Sequence, residues 1–121
     1  MCGIVGIFSD KQLFSKLQVK TMLDTIAHRG PDDAGIVAID TDTNQVKEDQ
    51  SNLLFGHRRL SILDLSSLGH QPMQTKDQKI WITYNGEIFN FIEIRQKLRN
   101  KGYSFISNTD TEVILYAYKE Y

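Results

Sequence analysis

The residue with the most chemistry to offer in this 121-residue chain is its single cysteine, Cys2, which follows Met1 directly. If Met1 is removed, Cys2 carries a thiol and a free α-amine on one residue. An unperturbed α-amine titrates near pH ~7.7–8.0 and a thiol near ~8.5, so around neutrality the amine can take the thiol proton directly or through a water. Nucleophile and base would then share one residue. A chain that keeps Met1 lacks that base. Position alone leaves a second reading open, in which a free cysteine is simply a small buried hydrophobe. One cysteine makes no internal disulfide, and the three histidines, His28, His57 and His70, stand at no recognisable ligand spacing, so no metal site is expected. Fourteen basic against fifteen acidic residues give a formal net charge of −1, which offers nothing to nucleic acid. There is no apolar run of membrane-spanning length, and the start lacks the pattern of a secretory signal, so a cytoplasmic protein without membrane contact is expected.

The elements that must position Cys2 follow from periodicity. Residues 3–8, Gly-Ile-Val-Gly-Ile-Phe, predict a buried strand with Cys2 at its mouth. Between Lys11 and Ala27, Leu13, Phe14, Leu17, Met22, Leu23 and Ile26 recur at helical spacing, and the pattern stops at the loop His28-Arg29-Gly30-Pro31. Ala34 to Ile39 and Asn52 to Leu60 predict strands joined through a polar hairpin connection over 40–51. Gln71-Pro72-Met73 lies in a loop. Lys79 to Tyr84 predicts a strand that ends in the turn Asn85-Gly86, where glycine takes positive φ cheaply. A helix is expected from Asn90, as cap, to Asn100, with Phe91, Ile94 and Leu98 on one face and Gly102 as its stop. A short strand is expected over Tyr103 to Ile106. Thr109-Asp110-Thr111-Glu112 then makes a capping-box pattern for a last helix with Val113, Tyr116 and Ala117 inward. These elements make one α+β unit. Tyr121 falls inside the helical pattern with no stop signal, so a longer parent chain is expected.

Several motifs stand in one order: Met-Cys-Gly-Ile-Val-Gly-Ile at the start, His28-Arg29-Gly30-Pro31-Asp32, His57-Arg58-Arg59-Leu60-Ser61-Ile62-Leu63-Asp64, Gln71-Pro72-Met73, Tyr84-Asn85-Gly86-Glu87-Ile88-Phe89-Asn90 and Asp110-Thr111-Glu112-Val113. With them the chain resembles the class II glutamine amidotransferases, and among these the asparagine-synthetase-like branch, over essentially all its length. The resemblance implies the fold of the N-terminal-nucleophile hydrolases, an αββα sandwich of antiparallel sheets, incomplete in a chain of this length. It implies Cys2 as nucleophile, with Asn85 and Gly86 as the oxyanion hole. Arg59 would hold the α-carboxylate of glutamine, a task suited to a planar, permanently charged fork. Asp110, helped by Glu87, would accept from the α-ammonium, although an acid at a helix start is also favoured by the dipole alone. Leu60, Ile62 and Leu63 would shape the pocket through backbone groups and bulk, a role that ordinary core residues share. The Arg29-Gly30-Pro31-Asp32 loop matches a mobile loop of the family and receives no chemical step.

The implied reaction is hydrolysis of glutamine to glutamate and ammonia through a Cys2 thioester. The ammonia would pass to an ATP-dependent synthetase domain of the same parent chain, which amidates aspartate. No cofactor is expected in the present domain; ATP and magnesium belong to the synthetase domain. Uncovered strand edges make association with a second copy a further expectation. Two other readings stay open. One is a non-catalytic or truncated copy of the fold. The other is an amidotransferase for a different carboxylate, such as a sugar of a surface polysaccharide.

Overall fold

The computed structural model describes residues 1–121 and shows an α+β architecture. Strand β1 (Gly3–Phe8) pairs antiparallel with β6 (Leu53–Arg59), which pairs antiparallel with β3 (Asp33–Asp40), and β4 (Gln45–Lys47) closes a four-stranded sheet of order β1-β6-β3-β4. Two short ladders accompany it: β2 (Phe14–Ser15) with β5 (Gln50–Ser51), and β7 (Met73–Gln74) with β8 (Trp81–Ile82). Helix α1 (Lys16–Thr25) packs on β6, β1 and β3, while α2 (Phe91–Asn100) packs on α3 (Asp110–Glu120), which in turn contacts β7 and β8. No helix is long and apolar enough to cross a membrane.

The alternation of strand side chains decides which face each residue serves. Val5, Gly56 and Ile36 stand opposite one another across three strands, and Ile7, Leu54 and Ala38 form the neighbouring row. These rows face α1, where Val19 and Leu23 complete a core with Val5, Ala38 and Leu54. The row just before Val5, formed by Ile4, His57 and Gly35, faces the other way, toward Tyr84, whose carbonyl accepts from His57 Nε2 at 3.1 Å. On that side the expected second sheet is represented only by the two-residue β7–β8 ladder. A second core cluster, Leu98, Val113 and Tyr116, seals α2 against α3 with Phe91 and Ile94 alongside.

Several expectations need correction. Helix α1 begins at Lys16 rather than Lys11, because Ser15 caps it in a capping box with Gln18 and Phe14-Ser15 are used in a ladder. Leu13, Leu17 and Met22 are exposed, and Val19, absent from the predicted stripe, is fully buried. The strand expected over Lys79–Tyr84 shrinks to Trp81–Ile82, since only Met73 and Gln74 are there to pair with it. Tyr103–Ile106 forms no strand; Tyr103 and Phe105 instead bring their rings to 5.4 Å from that of Tyr116. Asn90 makes no side-chain cap to α2. Thr109 does cap α3, accepting from Glu112 N–H, but the Glu112 carboxylate turns back to the N–H groups of Ile106 and Ser107 instead of completing the box. Asn85 and Gly86 keep ordinary φ; a Cβ at position 86 would stand 2.5 Å from the Tyr84 hydroxyl, so a larger residue there would displace that ring. Gly102 ends α2 at φ 96°, in the left-handed region, as expected.

Two outcomes test this packing. Leu54 is fully buried between the sheet and α1, so Leu54→Ala should cost about 2–5 kcal/mol in urea unfolding; a loss below ~1 kcal/mol would place Leu54 outside the core. His57 is fully buried, its Nδ1 lacks a hydrogen-bond partner, and burial lowers its pKa below the ordinary 6.5. Above that value both folded and unfolded chains carry it neutral. Below it the unfolded chain takes up a proton first, so stability falls with falling pH until the folded pKa is reached. His57→Gln should flatten the stability profile below about pH 6.5. An unchanged slope would refute this.

Candidate functional site

Because β1 and β6 are antiparallel, the start of β1 lies beside the end of β6, and this is where Cys2 meets Leu60. The Leu60 N–H donates to Cys2 Sγ at 3.3 Å, and the thiol lies 3.7 Å from the Leu60 carbonyl. The Cys2 carbonyl accepts from Arg29 Nε at 3.0 Å. The Cys2 N–H donates to Asn85 Oδ1 at 3.0 Å, linking the first strand to the loop after β8. With Oδ1 engaged in this way, Asn85 keeps its Nδ2 without a hydrogen-bond partner in the cleft that Cys2 also lines. Removal of Met1 would turn the Cys2 nitrogen, now a peptide N–H, into an α-amine at the same point.

Cys2, Asn85 and Gly86 line one side of a cleft of about 190 Å³, small beside the roughly 300–1,000 Å³ of sites for drug-sized ligands. Arg59 and Asp110 line it as well, each only 5% exposed. The Arg59 guanidinium donates to the carbonyls of Ser66 and Leu63, both at 3.0 Å, and to that of Asp64. It makes no ion pair, nor does Asp110, whose Oδ2 accepts from the Ile88 N–H at 2.9 Å. A cation and an anion withdrawn from water without counter-charges are costly unless something else supplies them. Both belong to the same cleft, so one ligand with both charges would satisfy both. Burial, followed by the charges of Asp110 and Glu87, raises the pKa of the Tyr84 hydroxyl, which marks the same corner as anionic.

The other predicted residues fall on the same cleft. Leu60 contributes its backbone to the thiol, Ile62 and Leu63 form a largely exposed apolar rim at 63% and 38% exposure, and Glu87 is exposed at the mouth. The rim thus replaces the core role that sequence allowed for Ile62 and Leu63. Sequence reasoning missed the residues that hold these groups in place. Gln71 is buried; its Oε1 accepts from Tyr84 N–H at 2.7 Å and its Nε2 donates to Thr111 at 3.3 Å. With His57 on the Tyr84 carbonyl, both main-chain groups of the residue before Asn85 are fixed. The signal was the Gln71-Pro72-Met73 motif, noted without a role. Asp32 accepts from Ser61 N–H at 2.7 Å, so the Arg29–Asp32 loop fastens both Cys2 and the segment after Leu60. Gly69 is required by close approach, since a Cβ there would overlap the Arg59 guanidinium.

The chain matches a family model described as "Glutamine amidotransferase domain" over residues 1–121. It is 40% identical over 125 residues to "Asparagine synthetase [glutamine-hydrolyzing] 1" of Bacillus subtilis, covering all of this chain and 18% of that protein. Similarity of 35% over 130 residues relates it to "Putative asparagine synthetase [glutamine-hydrolyzing] 1" of Methanocaldococcus jannaschii, covering 99% of this chain and 23% of the relative. The corresponding protein 1 of Arabidopsis thaliana is 35% identical over 123 residues, covering all of this chain and 19% of its own length. The chain therefore spans about a fifth of the length of the curated relatives it matches. A family-model match that spans every residue from 1 to 121 assigns this chain to the glutamine amidotransferase domain family.

Proposed function

We propose that this chain is the glutamine-hydrolysing part of an asparagine-synthetase-type enzyme. The observation that carries the reading is the pair of buried charges without counter-charges, Arg59 and Asp110, lining the cleft that holds the Cys2 thiol. An amino acid presents a carboxylate and an ammonium a short distance apart, and Arg59 and Asp110 offer the matching charges. Glutamine bound this way directs its side-chain amide toward Cys2.

With Met1 removed, the Cys2 α-amine takes the thiol proton and the thiolate attacks the amide carbon. The oxygen that becomes negative is met by Asn85 Nδ2 and the Gly86 N–H. The α-ammonium returns its proton to the departing nitrogen, ammonia leaves, and a γ-glutamyl thioester remains. Water, deprotonated by the same amine, cleaves the thioester to glutamate and free Cys2. Glu87 at the mouth supports the ammonium end, and the rim of Ile62 and Leu63 limits water entry. In the full reaction the ammonia passes to an ATP- and magnesium-dependent synthetase part of the parent chain, with aspartate as acceptor.

Incubation of the full-length protein with a diazoketone analogue of glutamine, followed by intact mass and peptide mapping, should show loss of Met1 and one adduct at Cys2. Protein that has lost Met1 and takes up no adduct would sink the glutamine reading. Asn85→Ala should lower kcat for glutamine hydrolysis about 100- to 1,000-fold with little change in KM. A kcat within a few-fold of the unsubstituted enzyme would remove Asn85 from the oxyanion hole.

A further inference from the structure

The loop from Ser61 to Leu68 contributes Ile62 and Leu63 to the cleft, yet none of its apolar side chains is fully buried. Ile62 and Leu65 are 63% and 79% exposed, and Leu63 and Leu68 are only partly covered, at 38% and 48% exposure. None of its four apolar side chains is buried, so polar contacts carry much of its positioning. Arg59 supplies three from below, through the carbonyls of Leu63, Asp64 and Ser66.

Asp64 supplies the rest. It lies at φ 58°, in the left-handed region that aspartate and asparagine enter more readily than other non-glycine residues. This conformation turns its backbone carbonyl to Arg59 and its side chain the other way. Oδ1 accepts from Ser66 N–H at 3.0 Å and from Ser66 Oγ, which closes the loop on itself. Oδ2 accepts from the Asn108 N–H at 2.7 Å. These donors hold the Asp64 carboxyl below its ordinary pKa, the Asn108 N–H first, so the carboxylate is charged at neutral pH.

Asn108 stands two residues before Asp110, in a segment that is rigid for separate reasons. Arg95 of α2 donates to the Thr109 carbonyl at 2.7 Å in a buried contact. Ser107, Thr109 and Glu112 close a buried hydrogen-bonded cluster around the same turn. One residue thus touches the cationic end of the cleft through its backbone and the lead-in to the anionic end through its side chain. We propose that Asp64 is a positioning residue that fixes the spacing between Arg59 and Asp110, and thereby selects ligands carrying a carboxylate and an ammonium at amino-acid separation. The inference rests on the glutamine reading above.

Such a strut matters only to a ligand that must reach both ends at once. A ligand that engages Arg59 alone can follow the loop wherever it goes. Asp64→Asn tests this: asparagine tolerates the same backbone conformation and keeps one acceptor for Ser66, but presents an amide donor to the Asn108 N–H. Binding is measured by calorimetry in the full-length protein carrying Cys2→Ala, which prevents turnover. The probes are L-glutamine and 4-carbamoylbutanoate, which retains the carboxylate and the side-chain amide but lacks the ammonium. Asp64→Asn should weaken glutamine about tenfold and the analogue less than about twofold. Equal weakening of both, as a general loosening would give, overturns the strut, and so does unchanged glutamine affinity. If the Cys2→Ala protein without the Asp64 change binds neither probe, the glutamine reading itself falls, and the strut falls with it.

Discussion

The Arg59 guanidinium lies 5% exposed among backbone carbonyls with no carboxylate at ion-pair distance. Carbonyl dipoles compensate such a group in part, and the remainder shapes everything near it. The loop after β6 bends so that three of its carbonyls meet the guanidinium. Gly69 has no side chain because the guanidinium occupies that space. The cleft's buried acid, Asp110, is held by the Ile88 N–H instead of by Arg59. A site built in this way holds its two charges apart until a ligand joins them.

The antiparallel pairing of β1 with β6 turns this electrostatic arrangement into a reactive one. It sets the first residues of the chain beside the last residues of β6, so the thiol, its Leu60 N–H donor and the Arg59 charge share one corner. A register slip of a single residue would send His57 and Arg59 to the α1 face and Gly56 and Arg58 to the cleft. The core on the α1 side, Val5, Val19, Leu23, Ala38 and Leu54, opposes that slip because it fits only the present register. Stability on one face of the sheet thereby holds the chemistry on the other. The same sheet reaches the loop that bears Asn85 through His57, whose bond to the Tyr84 carbonyl spans the gap between β6 and that loop.

Much of this was legible from the sequence, and the failures share a cause. The strands near 34–39 and 52–60 and the apolar faces of α2 and α3 followed from their patterns, because a continuous buried face leaves a repeating signal, whereas the apolar run over 3–8 gave its strand but not its burial, since Ile4 and Phe8 are exposed. The short elements misled. Lys79–Tyr84 has strand composition, but its partner β7 is only two residues long, and Tyr103–Ile106 found aromatic packing in place of a strand partner. The start of α1 was misplaced because Leu13 and Leu17 continue an apolar pattern that the fold leaves exposed. Gly86 suggested a left-handed turn, whereas it accommodates the Tyr84 ring.

By itself the sequence determined which groups could react: a cysteine beside the amino terminus, an arginine at the end of a strand, an asparagine-glycine pair and an acid at a helix start. Residue type fixes charge, nucleophilicity and donor count before any folding occurs. It also determined the faces of the longer elements, since burial along a regular element repeats with the period of the backbone. Only the tertiary structure decided that Arg59 and Asp110 share a cleft without a counter-charge. The bonds between Gln71 and Tyr84 and between Asp64 and Asn108 also emerge only there. These contacts join residues 13 and 44 positions apart through irregular chain. No local period or propensity encodes such a distance, because it depends on where every intervening element has packed.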